Sequence, residues 1–129
     1  FAGCQYTATD GEVKFARYFP TGTATQGGGD VTAYIYDDPN IVYAIQSAGS
    51  ADFADIGQLA DHVAGTGDTS TGQSKFEISG TTGTGTAGMR ILGLYETPKN
   101  AFGTNGILEA TIHEHELNQH IDADGTVGV

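Results

Sequence analysis

The chain has 129 residues, about one domain's worth, and carries five Lys and Arg against sixteen Asp and Glu, a formal net charge of −11. That balance excludes ordinary nucleic-acid binding, which needs clustered cations against phosphates, and it disfavours anionic membrane surfaces. No run approaches the ~20 consecutive apolar residues of a membrane helix, no secretory signal is visible, and the single Cys4 excludes an intrachain disulfide framework and fits assembly in a reducing cytoplasm.

Glycine is over-represented at 20 residues, with threonine abundant beside it, yet 38% of residues are hydrophobic and fall in short runs. The pattern predicts strands separated by Gly/Thr turns rather than a disordered tail. The first strand is Val13 to Phe19, whose alternation puts Val13, Phe15 and Phe19 on one face before Pro20 ends it. Val31 to Tyr36 and Ile41 to Gln46 are β-branched and aromatic runs flanking Asp37-Asp38-Pro39-Asn40, a turn sequence that predicts a hairpin. In Ala51 to Ala64, Phe53, Ile56, Ala60 and Val63 recur at helical spacing. One short helix is expected there, capped by Ser50 or Asp52 and ended at Gly65, against the cost of Gly57 inside it. Lys75 to Ser79, Met89 to Tyr95 and Ile107 to His115 complete the strands. Two polar tracts, Gly65 to Ser74 and Gly80 to Gly88, read as long loops. The expected fold is therefore all-β, a barrel or sandwich in a single domain over 1–129, with one short helix and long Gly/Thr-rich loops.

Four patterns carry candidate chemistry. His113-Glu114-His115-Glu116, followed by His120, places His113 and His115 on one strand face, the spacing of many two-histidine metal sites. It has the His-x-His of the first cupin motif, but His120 stands where that motif has Glu, and His115 and His120 are five apart rather than the four of a zinc-protease helix. With Leu108, Ala110 and Ile112 on the core face, the pleat predicts that both histidines continue the solvent face of Glu109 and Thr111. Gly83-x-Gly85-x-x-Gly88 matches the dinucleotide fingerprint in letters only, because Met89 to Tyr95 reads as strand where the mechanism needs a helix N-terminus. Asp122-Ala123-Asp124-Gly125 opens like a calcium loop without the later acidic ligands. Asp37-Asp38 reads as turn chemistry and Cys4 as a small buried hydrophobe. No catalytic, cofactor-binding or metal residue is assigned, and the chain is not expected to be an enzyme.

The segments Phe1-Ala2-Gly3-Cys4-Gln5-Tyr6-Thr7, Phe15 to Pro20, Asp37-Asp38-Pro39-Asn40, Asp55-Ile56-Gly57-Gln58-Leu59-Ala60-Asp61 and Arg90-Ile91-Leu92-Gly93-Leu94 together resemble virion structural proteins of tailed phages, notably marine ones. The resemblance implies a capsid decoration (cement) protein, small, β-rich and homo-oligomeric with a trimer favoured, assembled in the host cytoplasm on the outer capsid surface. Its implied partner is the major capsid protein, with no nucleic acid, membrane or cofactor. Related proteins have further strands before the equivalent of Phe1, so an N-terminal segment is expected to be missing here. The aromatics Tyr6, Tyr18, Phe19, Tyr34, Tyr36 and Tyr43 are the interface candidates. Two alternatives remain: a carbohydrate-binding module with exposed tyrosines, and a cupin-like metal-binding β-module using His113, His115 and His120.

Overall fold

A computed structural model describes residues 1–20 and 22–115. The fold is mainly β, built from several antiparallel sheets with 3₁₀ turns as its helical elements among the described residues. The chain divides into two compact units, Phe1–Asp37 with Gly67–Ser74, and Asp38–Thr66 with the chain from Lys75 onward.

The first unit is a three-stranded antiparallel sheet in which β1 (Gly3–Thr7) lies between β2 (Val13–Ala16) and β3 (Thr32–Tyr34). The β1–β2 connection closes through Ala8 N–H to the Glu12 carbonyl and Gly11 N–H to the Ala8 carbonyl, with Gly11 at φ 86° where a side chain would be strained. Register puts Cys4 opposite both Ala16 and Ala33, and these small neighbours let Cys4 sink to 2% exposure. The segment Gly67–Ser74 folds on itself: Asp68 N–H donates to the Gln73 carbonyl, and Gly72 N–H to the Asp68 carbonyl. The Asp68 carboxylate also accepts from the Ser70 N–H at 2.9 Å and the Ser70 hydroxyl at 2.6 Å, an Asx-type turn.

The second unit centres on a four-stranded sheet ordered β4 (Tyr43–Gln46), β11 (Ile107–Ile112), β9 (Met89–Leu94) and β6 (Leu59–Ala60). Its described residues also form two short ladders, β5 (Ser50–Ala51) with β10 (Gly103–Thr104), and β7 (His62–Val63) with β8 (Glu77–Ile78). Ala51, Ala60, Ile78, Ile91, Leu108 and Ala110 form its core, with Ile45, Met89 and Leu94 against them. Strict alternation along β9 would send Ile91 and Leu94 to opposite faces. A bulge prevents this: Glu109 pairs with Gly93 and Ala110 with Ile91, so Leu92 is the extra residue, and both Ile91 and Leu94 reach the core. As expected, Leu108 and Ala110 are fully buried on one face of β11. The connection from Tyr95 to Ile107 is braced by Asn100, whose amide donates to both their carbonyls at 2.7 Å and accepts from Ile107 N–H at 2.9 Å.

Two sequence expectations are corrected. The runs flanking Asp37-Asp38-Pro39-Asn40 do not form a hairpin, because β3 pairs with β1 whereas β4 pairs with β11. The turn itself is real, with Ile41 N–H on the Asp38 carbonyl and Asn40 N–H on the Asp38 carboxylate at 2.8 Å. Turn chemistry reports a local change of direction and cannot choose the strands' partners, which here are found elsewhere in the chain. The Ala51 to Ala64 helix also does not form. Asp52 makes the expected cap on a 3₁₀ turn at Phe53–Asp55, including the reciprocal Asp55 contact. Gly57 then adopts φ 85°, and its N–H, with the Gln58 carbonyl, bonds the backbone of Ile91, drawing the chain onto β9 as β6. Backbone pairing to an available strand edge outweighs a helical propensity already lowered by glycine. Gly65 is no helix cap: its backbone presses on the Lys75 carbonyl, leaving no room for a side chain.

Candidate functional site

The first unit leaves several large apolar side chains in water on one face of its sheet. Cross-strand pairs share a face, so the register Thr7 with Val13, Gln5 with Phe15 and Thr32, and Gly3 with Tyr34 places Val13, Phe15 and Tyr34 together, opposite the Cys4 face. Phe15 is 72% exposed, and Val13 and Tyr34 are also exposed. The Tyr34 hydroxyl donates to Gln5 Oε1 at 2.6 Å, which holds the ring across β1. Gly3 contributes no side chain, leaving a depression of about 300 Å³ lined by Phe15, Arg17 and Tyr34. A second cleft of about 530 Å³ lies beside Phe1, Arg17, Tyr18, Tyr36 and Gln73, and Tyr36 is 61% exposed. Ile35 between these rings is exposed too.

The magnitudes matter here. Burying one large apolar side chain is worth about 1.5–3 kcal/mol. Leaving Val13, Phe15, Tyr34, Ile35 and Tyr36 in water therefore forgoes several kcal/mol, comparable with the whole stability of a small domain. A three-stranded sheet with such a face gains most from a surface laid over it.

The structure separates the five tyrosine candidates. Tyr34 and Tyr36 are exposed, and Tyr18 lines the same cleft as Tyr36 while its hydroxyl donates to the Ser70 carbonyl at 3.3 Å. Tyr6 is half-buried against Phe19, edge to face at 5.2 Å, and so serves packing. Tyr43 is half-buried on β4 in the second unit, opposite Ala110. Reading from aromatics missed Val13, Ile35 and the extent of Phe15. The alternation Val13-Lys14-Phe15 did mark a face, but a lone strand does not say whether its apolar face meets the core or solvent.

The histidines are a third correction. His113 and His115 are 7% and 8% exposed, buried rather than on the solvent face. β11 ends at Ile112, His113 N–H closes the ladder on the Gly88 carbonyl, and the chain bends, so period-two alternation no longer applies. Among the described residues no group of three His, Cys, Asp or Glu side chains is placed to hold a metal ion. His120, Asp122 and Asp124 lie outside the described residues. The Gly83 to Gly88 tract runs directly into β9, with no helix N-terminus to face a phosphate. Asp38 is engaged in its turn, and Cys4 is packed between alanines. No described helix is long and apolar enough to cross a membrane.

No protein-family model, curated protein or solved structure matches the chain.

Proposed function

We propose that the protein is a non-enzymatic virion structural protein, a decoration or cement protein that binds the outer capsid surface and stabilises the DNA-filled head by bridging capsid subunits. The observation that carries this reading is the exposed face of the first unit, where Val13, Phe15 and Tyr34 share one side of the sheet. Such a face is stabilised when a second protein covers it, and a capsid lattice supplies a broad, repeated surface. The resemblance of five segments to tailed-phage virion proteins supplies the class. A net charge of −11 suits a position facing water rather than packaged DNA. The same reading makes the protein a homo-oligomer, a trimer, with the major capsid protein as its partner.

The test mixes purified chain with undecorated heads of the same origin and follows sedimentation, then cryo-electron microscopy. Saturable density at symmetry-related lattice positions is expected, and the Phe15→Ser/Tyr36→Ser double variant should lose occupancy while remaining folded. A chain that stays in the supernatant at every ratio overturns the reading. A second reading, a carbohydrate-binding module, draws on the exposed rings of Tyr34 and Tyr36. It predicts selective retention on a glycan array, abolished when both rings are removed.

A further inference from the structure

The second unit holds a different surface, a groove of about 560 Å³ between the 3₁₀ turn and the sheet, lined by Phe53, Ile56, Leu94, Phe102, Glu96 and Glu109. Its parts are placed by features already described. The Asp52–Asp55 capping box fixes the turn, and the Asp55 carboxylate also accepts from the Thr82 hydroxyl at 2.8 Å. Phe53 therefore stands 72% exposed from an anchored backbone, and its ring meets Phe102 edge to face at 6.1 Å and 81°. Gly93 lies opposite Glu109 in the β9–β11 register, and a Cβ there would meet nothing within 4 Å. The missing side chain leaves Glu109 uncovered.

Two carboxylates line this apolar groove, and among the described residues neither side chain has a hydrogen-bond or ion-pair partner. Glu109 is half-buried beside Leu94 and Ile56, where a neighbouring like charge is least screened. The pair is complementary to a cation that also carries apolar surface. Arginine has that combination: methylenes for Ile56 and Leu94, a planar, weakly hydrated guanidinium that stacks on an aromatic face, and a fork of N–H donors for carboxylates. Lysine's compact, strongly hydrated ammonium matches less well. A neutral sugar could use the rings but would leave both charges uncompensated on an acidic protein.

We infer that this groove binds the arginine side chain of an exposed segment of a partner protein, the guanidinium held by Glu96 and Glu109 against Phe53 and Phe102. The inference is independent of the capsid reading, since any protein presenting such an arginine satisfies it.

The test uses the full chain and the peptide acetyl-Gly-Ser-Arg-Ser-Gly-amide in an NMR titration, with citrulline, lysine and norleucine peptides beside it. Saturable shifts of the Phe53, Gly93 and Phe102 amides are expected. The dissociation constant should weaken about ten-fold or more for citrulline and for the Glu96→Gln/Glu109→Gln variant. Gly93→Val, whose Cβ would meet nothing within 4 Å, should fill the groove and abolish the shifts while leaving the rest of the spectrum in place. Unsaturating shifts spread over the acidic surface, or equal responses to lysine and arginine, would overturn the inference. Shifts of the same amides by maltohexaose that survive the glutamine variant would assign the groove to a sugar. Shifts on concentrating the chain alone would assign it to a second copy.

Discussion

The ring of Tyr18 lies directly on Gly72: a Cβ at Gly72 would come within 2.1 Å of Tyr18 Cδ1, and Gly72 itself sits at φ +72°. Two residues fifty-four positions apart are thus locked together by the absence of one methyl group, and the contact ties Gly67–Ser74 to the first unit's sheet segment. Both residues line the cleft that Tyr36 borders, so the fit also shapes the proposed interface.

Gly72→Ala should therefore cost stability twice, through the clash and through the left-handed backbone, by about 2–4 kcal/mol together. Tyr18→Phe, which removes only the long hydroxyl bond to Ser70, should cost less than about 1 kcal/mol. Urea unfolding of both variants checks this, and equal losses would show that the hydroxyl rather than the ring contact matters.

Acid should act through Asp68. Its carboxyl is held below the ordinary aspartate value of 3.8, chiefly by the Ser70 hydroxyl and then by the Ser70 N–H. A folded-state value below the unfolded one means the stabilisation is fully present above 3.8 and is lost as pH falls through the lower folded value. Asp68→Asn should accordingly be less stable than the parent near neutrality, and the gap should narrow on acidification below about pH 4. Denaturant midpoints across that range provide the measurement. A constant gap would show that the turn does not discriminate between the charged and neutral carboxyl.

Gly49 and Gly80 make a second glycine contact, backbone against backbone. A Cβ on Gly80 would lie 2.8 Å from Gly49 Cα, beside the Ala48 N–H bond to the Ile78 carbonyl. Neither glycine is in the left-handed region, so the requirement is purely steric. Gly80→Ala should lower stability by about 1–3 kcal/mol. Gly83→Ala, in open space, should change it by less than about 0.5 kcal/mol. Thermal unfolding of the pair distinguishes a packing requirement from general intolerance of side chains in the Gly/Thr tract.

Asn100 should be the most sensitive loop residue of the second unit, because it satisfies the Tyr95 carbonyl and both backbone groups of Ile107. Asn100→Ala leaves the Tyr95 carbonyl and the Ile107 N–H with solvent alone, while the Ile107 carbonyl keeps its bond from Tyr95 N–H at 3.0 Å, and should cost about 1–3 kcal/mol. Faster amide exchange at Ile107 in the variant would locate the loss, and unchanged exchange would place the bracing elsewhere.

What could be read beforehand followed local rules. β9 came from its short apolar run, the apolar face of β11 from alternation, the Asp52 cap from its side-chain chemistry, and the Asp38 turn from Pro39 and Asn40. What could not be read depended on partners distant in the chain. Ala51 to Ala64 holds a helical period, but the free backbone of Ile91 captured Gly57 and Gln58 and made the segment a strand. His113 and His115 continue an alternation on paper, whereas the ladder that enforces alternation stops at Ile112.

The candidate surfaces divide along the same line. Composition alone settled an acidic chain, because net charge is a sum over residues and needs no geometry, and the short apolar runs between Gly/Thr turns gave the β-rich class. Whether the apolar face of Val13 and Phe15 meets a core or water depends on which strands pair and on what lies over them, and the register to β1 answers that. The groove at Glu109 likewise exists because a strand eighty-nine residues into the chain sets a glycine opposite it. Cross-strand neighbours are chosen by backbone pairing and register, which the alternation within one strand does not carry.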